Sequence, residues 1–411
     1  MISPGRLSLL QDMVVAKRGL KAITPAVCLG ITFVIEQKDF LMNAQEVVTL
    51  DLDEMCNNLH EEFSCMSGKR LLLTGGAGFL GHYFIQAALH WNSKSYNKFS
   101  PIQVVVYDSF VRGMPQWLSK LQGDRNLTLI RHDIRNPLPA DMGDFQCIVH
   151  AASIASPAYY RRDPIGTMDA NVNGLRMLLE YARAQQEKGR SVEGFLFFSS
   201  SEIYGDPSPE NIPTPETYRG LVSCTGPRAC YDEAKRYGET LCVNFAHQLG
   251  IPVKVARPFN NYGPGLKISD RRVIPDFARD IMDGRDIVML SDGSPRRTFC
   301  YVADAVTGYY KVLTKGHNGE AYNIGVEQPE ISIADLAEKL ASLARELFGY
   351  KGKVVRQASQ DTSYLVDNPN RRCPVITKAR THLGYNPRVT LDEGLTRSLI
   401  WYNENRQAED A

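Results

Sequence analysis

The sequence has almost no excess charge. Its 47 lysines and arginines face 46 aspartates and glutamates, leaving a formal net charge of +1. No global field therefore draws the chain toward nucleic acid or an anionic membrane, and neither is an expected partner. Paired cysteines are also lacking. The 9 cysteines are odd in number, scattered, and nowhere spaced as two metal-ligand doublets. They read as reduced thiols in a reducing, cytoplasmic compartment, with no metal site expected. A long apolar run is missing too. The stretch Ile23 to Ile35 follows a basic patch of Lys17, Arg18 and Lys21, but it is shorter than the roughly 20 apolar residues a membrane span needs. No clear small-residue cleavage site follows it, so the run reads as a buried strand or helix, with targeting or anchoring by the N-terminal extension left open. Internal repeats and low-complexity segments are absent. What remains is an ordinary soluble composition, 43% hydrophobic and 23% charged over 411 residues, with room for two domains and an appendage.

Residues 1–68 form an extension, because the first strong α/β signal begins at "GKRLLLTGGAGFLG", Gly68 to Gly81. Within it, "AQEVVTLDLDEMCNNLHEEFSCM" is acidic and has helical character, with Leu50, Met55 and Leu59 on a rough apolar stripe. Packing on the main body, mediating oligomers and an early start site are all open roles for it. From Arg70 onward, short apolar runs alternate with helical patterns: "RLLLTG", "QVVVYD", "LTLIRHD", "CIVHAA", a long helix through "NVNGLRMLLEYARAQ", "GFLFFSS", a helix carrying "YDEAKRYGETLCVNFAHQLG", and "VKVARPFN". This alternation predicts a doubly wound parallel sheet of the Rossmann type over residues 69–260, buried on both faces by helices. After Tyr262 the regularity weakens, and residues 261–405 read as a smaller, interleaved α/β domain over the carboxyl edge of the sheet. Ser332 with Asp335 three residues on is a capping-box-like start for a late helix.

"TGGAGFLG" places Gly75, Gly78 and Gly81, with Phe79 and Leu80 between, after a predicted strand and at the start of a helix. Glycines there let the backbone turn tightly and approach a pyrophosphate, whose charge the helix N-terminus meets with free N–H groups. Asp108 ends the second strand, where a carboxylate reaches an adenosine ribose. Asp133 and Ile134 follow the third, near an adenine. Asp108 would repel a 2′-phosphate, so NAD is the expected cofactor.

In "GPRACYDEAKR" a tyrosine and a lysine, Tyr231 and Lys235, stand four apart on one helical face. A tyrosine titrates near pKa ~10 and is a poor base at neutral pH unless positive charge favours the phenolate. Such a pair is suited to taking a proton from a sugar hydroxyl while its carbon gives up hydride.

The glycine loop, the serine cluster and the Tyr231/Lys235 pair resemble the extended short-chain dehydrogenase/reductases that modify nucleotide sugars. Within them, "SSSEIYGDP", "GPRACYDEAKR" and "ARPFNNYGPG" resemble the UDP-glucuronate decarboxylase branch, from about Gly68 to Tyr402. The resemblance implies that Ser200 holds the reacting hydroxyl beside Tyr231. In the related 4,6-dehydratases the next pair is aspartate and glutamate; here it is Ser201 and Glu202. Loss of the dehydration acid leaves Glu202 to position water or manage a proton at C5. The implied reaction oxidises C4, loses carbon dioxide and returns the hydride, so NAD stays bound. The resemblance also assigns Arg297, Asn260, Arg272, Ser156, Tyr160 and Ser201 to the nucleotide sugar, and implies a homodimer. Departures fall at Gly265 and Leu266, where an arginine is usual, at Val375, where aspartate is usual, and near Ser223, where asparagine is frequent. They bear on substrate contacts and leave the catalytic pair intact. A 4-epimerase, a decarboxylase that releases the 4-keto pentose, and a dinucleotide-binding scaffold remain the rival readings.

Overall fold

The computed structural model describes residues 42–95, 98–357 and 369–406. The run Ile23 to Ile35 lies outside the described residues.

Seven strands build the central sheet: β1 (Arg70–Thr74), β2 (Gln103–Asp108), β3 (Leu127–Arg131), β4 (Cys147–His150), β5 (Gly194–Phe198), β6 (Val253–Pro258) and β7 (Ala321–Ile324). All pair in parallel, in the order β7-β6-β5-β4-β1-β2-β3. Every residue of β4 and β5 is buried, which is why these strands read as unbroken apolar runs. Strand order reverses between β1 and β4, the crevice where doubly wound sheets take ligands.

Helix α1 (Ala44–Asn58) opens on a capping box. The Asn43 side chain accepts from Glu46 N–H at 2.9 Å, and the Glu46 carboxylate accepts from Asn43 N–H at 2.9 Å. Its buried face runs through Val48, Leu52 and Met55 to Leu59, while Leu50 is only half-buried. Two positions along a helix turn about 200°, so Leu50 cannot share the face of Leu52. The short helix α2 (His60–Cys65) follows. At the centre of α1 the fully buried Asp51 accepts hydrogen bonds from the hydroxyls of Tyr83 and Tyr301 and from the Arg397 guanidinium. The second half of the extension is thereby bolted into the fold.

Five further helices position the site or tie the sheet to the C-terminal part: α3 (Phe79–Ser95), α4 (Gly174–Glu187), α5 (Ala229–Leu249), α6 (Val302–Lys315) and α7 (Ile333–Phe348). The predicted long helix through "NVNG" is split. Residues Asp169–Asn173 form a wider π-helical turn before α4, with Asn171 Nδ2 donating to Thr167 O at 2.7 Å. Ser332 caps α7 as its spacing predicts, accepting from Asp335 N–H at 3.0 Å and donating to the Asp335 carboxylate at 2.6 Å. The strand at "AYNIG" is β7 and lies in the main sheet beside β6, because α6 carries the chain back across it. The C-terminal part also contains a small sheet of Arg296–Arg297, Ile331–Ser332 and Arg371–Arg372, and the helices α8 (Thr377–Leu383) and α9 (Leu391–Asn405). Among the described residues no helix is long and apolar enough to cross a membrane.

Candidate active site

A cavity of about 1250 Å³ opens at the carboxyl ends of the strands. It exceeds the roughly 300–1000 Å³ of a single small-molecule pocket. Gly75, Gly78, Phe79, Leu80 and Gly81 form one wall. Gly75 sits at φ +74°, and a Cβ there would lie 2.6 Å from the Ala152 backbone; at Gly81 it would lie 2.0 Å from the Gly76 carbonyl oxygen. Only bare backbone fits, so the N-terminus of α3 is brought against β1 at the cavity wall, a cradle that fits a pyrophosphate.

Asp108 binds this loop from the next strand, accepting from Ala77 N–H at 2.9 Å and Phe110 N–H at 2.8 Å. Burial raises its carboxyl above the usual range. Asp133 is held by Arg135, with contacts of 2.6 to 3.0 Å that lower its pKa, and Ile134 is buried beside it. Arg112, the nearby cation that bears on 2′-phosphate recognition, is committed to Asp270 at 3.2 Å and to the Tyr159 ring at 4.9 Å.

On the opposite wall, Ser200 leaves β5 in extended conformation and its hydroxyl accepts from Glu202 N–H at 3.1 Å. This caps the short 3-10 turn Ser201–Tyr204 and turns Ser201 and Glu202 to the cavity. Helix α5 begins at Ala229, just before Tyr231, and ends at Gly250, which takes the left-handed conformation at φ +67°. Tyr231 is buried close enough to Ser200 for that hydroxyl to pull its pKa down, and its ring stacks on Tyr160 at 5.1 Å and 9°. Burial pushes the phenol up to about 12, against the pull of Ser200 and Arg272. Lys235 donates to Phe198 O at 2.6 Å and lies 5.6 Å from the Tyr231 ring centroid. Its burial brings the ammonium down to about 7. In the protein alone, then, the lysine is poised to titrate near neutrality while the tyrosine stays protonated.

Glu202 is gripped by two arginines that the sequence reading passed over. Arg228 pairs with one carboxylate oxygen, and Arg372 reaches both, at 2.6 Å for its Nη2. Burial alone would raise this carboxyl, but Arg228 and Arg372, with help from Arg297, bring it down to about 2. Arg228 had a local signal: it stands three residues before Tyr231, about one helical turn away. Arg372 had none, because its place depends on the pairing of Arg371–Arg372 beside Arg296–Arg297 in the small sheet.

The other sequence-selected residues line the same cavity. Arg297 is buried and donates to the backbone carbonyls of Arg296, Pro369 and Asn370, and burial first, then Arg372 and Arg228, lower it to about 9. Arg272 pairs with Asp270 at 2.9 Å, and Ser156 donates to the Asp270 carbonyl at 2.9 Å. Asn260, at φ +40°, donates to Thr298 O at 2.9 Å. Helix α1 adds Gln45 and Val48 to the wall, a contribution the sequence did not announce.

The family model described as "NAD dependent epimerase/dehydratase family" matches residues 71–325. The chain is 36% identical over 331 residues to UDP-glucuronic acid decarboxylase 5 of Arabidopsis thaliana, covering 80% of this chain and 88% of that one. It is 34% identical over 369 residues to UDP-glucuronic acid decarboxylase 1 of Xenopus tropicalis, covering 87% and 80%. Among solved structures it resembles the dTDP-glucose 4,6-dehydratase DesIV of Streptomyces venezuelae, which was determined with NAD bound. The TM-score is 0.69 at 26% identity, with 82% of this chain and 98% of that one covered.

Proposed function

The chain belongs to the NAD-dependent epimerase/dehydratase family, and we propose that it decarboxylates UDP-glucuronate to UDP-xylose through a 4-keto intermediate. The observation that carries this reading is the meeting, in one cavity, of Ser200, Tyr231 and Lys235 with a glutamate clamped by two arginines, beside Ser201 where a dehydratase has an acid.

NAD, held on the Gly75–Gly81 loop with Asp108 and Asp133 toward its adenosine, supplies the acceptor and later the donor of hydride at C4. Ser200 and Tyr231 grip the sugar 4-hydroxyl; Tyr231, which the protein alone does not hold as phenolate, is favoured in that form by the positive nicotinamide ring of bound NAD⁺, and as phenolate its Oη takes the hydroxyl proton. Lys235 lies under the tyrosine and stabilises the phenolate in its ammonium form. Once C4 is a ketone, the C6 carboxylate leaves as carbon dioxide and the bonding electrons move into the ketone as an enolate. Protonation at C5 gives the 4-keto pentose, and when hydride returns to C4 the Tyr231 hydroxyl gives its proton back to the C4 oxygen, which completes the pentose. With its carboxyl near pKa 2, Glu202 stays an anion at neutral pH. Its part is to aim the Arg228 and Arg372 guanidiniums and to hold a water, while those cations meet the sugar carboxylate and the developing enolate. Ser156, Tyr160, Ser201, Asn260, Arg272 and Arg297 complete the nucleotide-sugar pocket.

Two coarser parts of the reading rest on other observations. A homodimer is supported by Ile165, Met168 and Tyr237, which are exposed on packed helical segments. A cytoplasmic location is supported by the free cysteines among the described residues.

The test incubates the protein with UDP-glucuronate and NAD⁺ and follows carbon dioxide and the sugar product by NMR. Carbon dioxide with UDP-xylose is the expected result. Carbon dioxide with a 4-keto pentose and NADH would mean that the cycle stops early. An isomer without carbon dioxide would replace this reading with a 4-epimerase, and unchanged substrate would overturn it.

A further inference from the structure

At the amino-terminal end of β7, on the edge of the sheet away from the strand ends that line the cavity, three metal-ligating side chains converge: His317, Glu320 and His382. His317 and Glu320 bracket the turn from α6 into β7, and His382 comes from the last turn of α8. Nδ1 of His317 lies 3.6 Å, and Nδ1 of His382 4.0 Å, from the same oxygen of Glu320. All three donor atoms fall within 4.8 Å of one another, the one such group among the described residues. The two imidazoles face each other with centroids 4.8 Å apart and planes inclined at 34°.

We propose that His317, Glu320 and His382 bind a borderline divalent transition cation, with zinc as the reference ion. Ligands bound at about 2.1 Å around a tetrahedral ion stand about 3.4 Å apart, so the donors, now within 4.8 Å of one another, need to close by at most about 1.4 Å. Side chains this exposed have room to do so: 59% for His317, 36% for His382 and 40% for Glu320. Two imidazoles and one carboxylate suit zinc, nickel and copper and do not suit magnesium or calcium, which prefer oxygen alone. Three protein ligands leave a fourth position to water.

The surroundings set the strength of the site. The Tyr322 hydroxyl lies 3.4 Å from His382 Nδ1 and 3.3 Å from Glu320 Oε2, so it competes for Nδ1 and has to release it to the ion, while Oε2 has a second lone pair to offer. Lys378 opposes a cation from one helical turn away. Its ammonium is 3.1 Å from the Glu320 oxygen, but it also donates to Ala321 O at 2.8 Å and has that carbonyl to fall back on. A bound ion would tie the edge strand β7 to α8.

The test titrates zinc into the full-length chain at pH 7.5 against a chromogenic chelator, beside His382→Ala, Glu320→Gln and a His317→Ala/His382→Ala double variant. The difference from the double variant separates this site from the free thiols elsewhere. The wild type is expected to take up one ion more than the double variant, and each single variant to lose more than about tenfold in affinity. Zinc should also raise the thermal midpoint of the wild type and leave that of the double variant unmoved. Equal stoichiometry and affinity in wild type and double variant would overturn the proposal and leave the cluster an exposed His–Glu ion pair.

Discussion

Asp51 and Glu202 are both carboxylates buried against arginine, one where helix α1 meets the body of the fold and the other in the cavity. Asp51 has a single cation, Arg397, and two tyrosine hydroxyls, and burial prevails: its carboxyl is pushed up to about 6. Glu202 has Arg228 and Arg372 in contact and Arg297 nearby, and the cations prevail: its carboxyl falls to about 2. Two guanidiniums in contact, on a side chain 20% exposed where Asp51 is 0% exposed, account for the opposite outcome. One cation shared among Asp51, Glu54 and Glu393 serves as a structural bolt, while a surplus of cations leaves positive charge for a ligand.

The sharpest way to break the comparison is to remove one anion at a time. Asp51→Ala leaves Arg397 to Glu393 at 2.5 Å and Glu54 at 3.5 Å and takes the acceptor from the buried Tyr83 and Tyr301 hydroxyls, which should cost about 3 kcal/mol of stability in urea unfolding. Glu202→Gln should act mainly on chemistry, lowering turnover on UDP-glucuronate about 10²-fold, because the two guanidiniums lose the anion that aims them. Its effect on stability should be much smaller than that of Asp51→Ala, since water reaches the cavity. A stability loss at Glu202→Gln equal to that at Asp51→Ala would erase the distinction.

The pH dependence separates the two more finely. The folded pKa of Asp51 lies above its unfolded 3.8, so its contribution is fully present below that value and lost as pH rises through about 6. Glu202 has the opposite sign: its folded pKa lies below 4.5, so its contribution is present above that value and lost as pH falls through about 2. Unfolding free energies measured from pH 2 to 7 should thus show opposing slopes of about 1 kcal/mol per pH unit in adjacent windows. Asp51→Asn should flatten the upper slope and Glu202→Gln the lower. The smallest effect is expected at the cap: Asn43→Ala should cost about 1 kcal/mol. In the Asp51→Ala background that cost should shrink toward zero if α1 has come away from the fold, a non-additivity that double-mutant unfolding would read directly.

Local pattern explains which parts of the molecule were legible in advance. The sheet was, because each strand is a short apolar run between turn signals and the order follows from alternation. The glycine loop and the Tyr231/Lys235 face were, because each lies within one turn of chain. Every residue singled out for the cofactor and the sugar lines the one cavity. Arg372 was hidden because strand pairing of the C-terminal segment carries it to Glu202. The place of α1 was hidden for the same kind of reason, since Asp51 finds its partners on α3, near Tyr301 and on α9. Leu50 misled because an apolar residue in a helix was counted toward a face it does not occupy. The meeting of His317, Glu320 and His382 likewise needs α8 folded against β7, which no spacing motif encodes.

Both carboxylates wait for an arginine from the end of the chain, Arg372 for Glu202 and Arg397 for Asp51. During synthesis the glycine loop and the Tyr231 helix emerge first and can assemble early, as N-terminal parts generally do. The charge balance of the cavity and the seating of α1 cannot follow until the segment that carries Arg372 and Arg397 has left the ribosome. A nascent chain short of that segment would hold a nucleotide cradle without a finished reaction chamber.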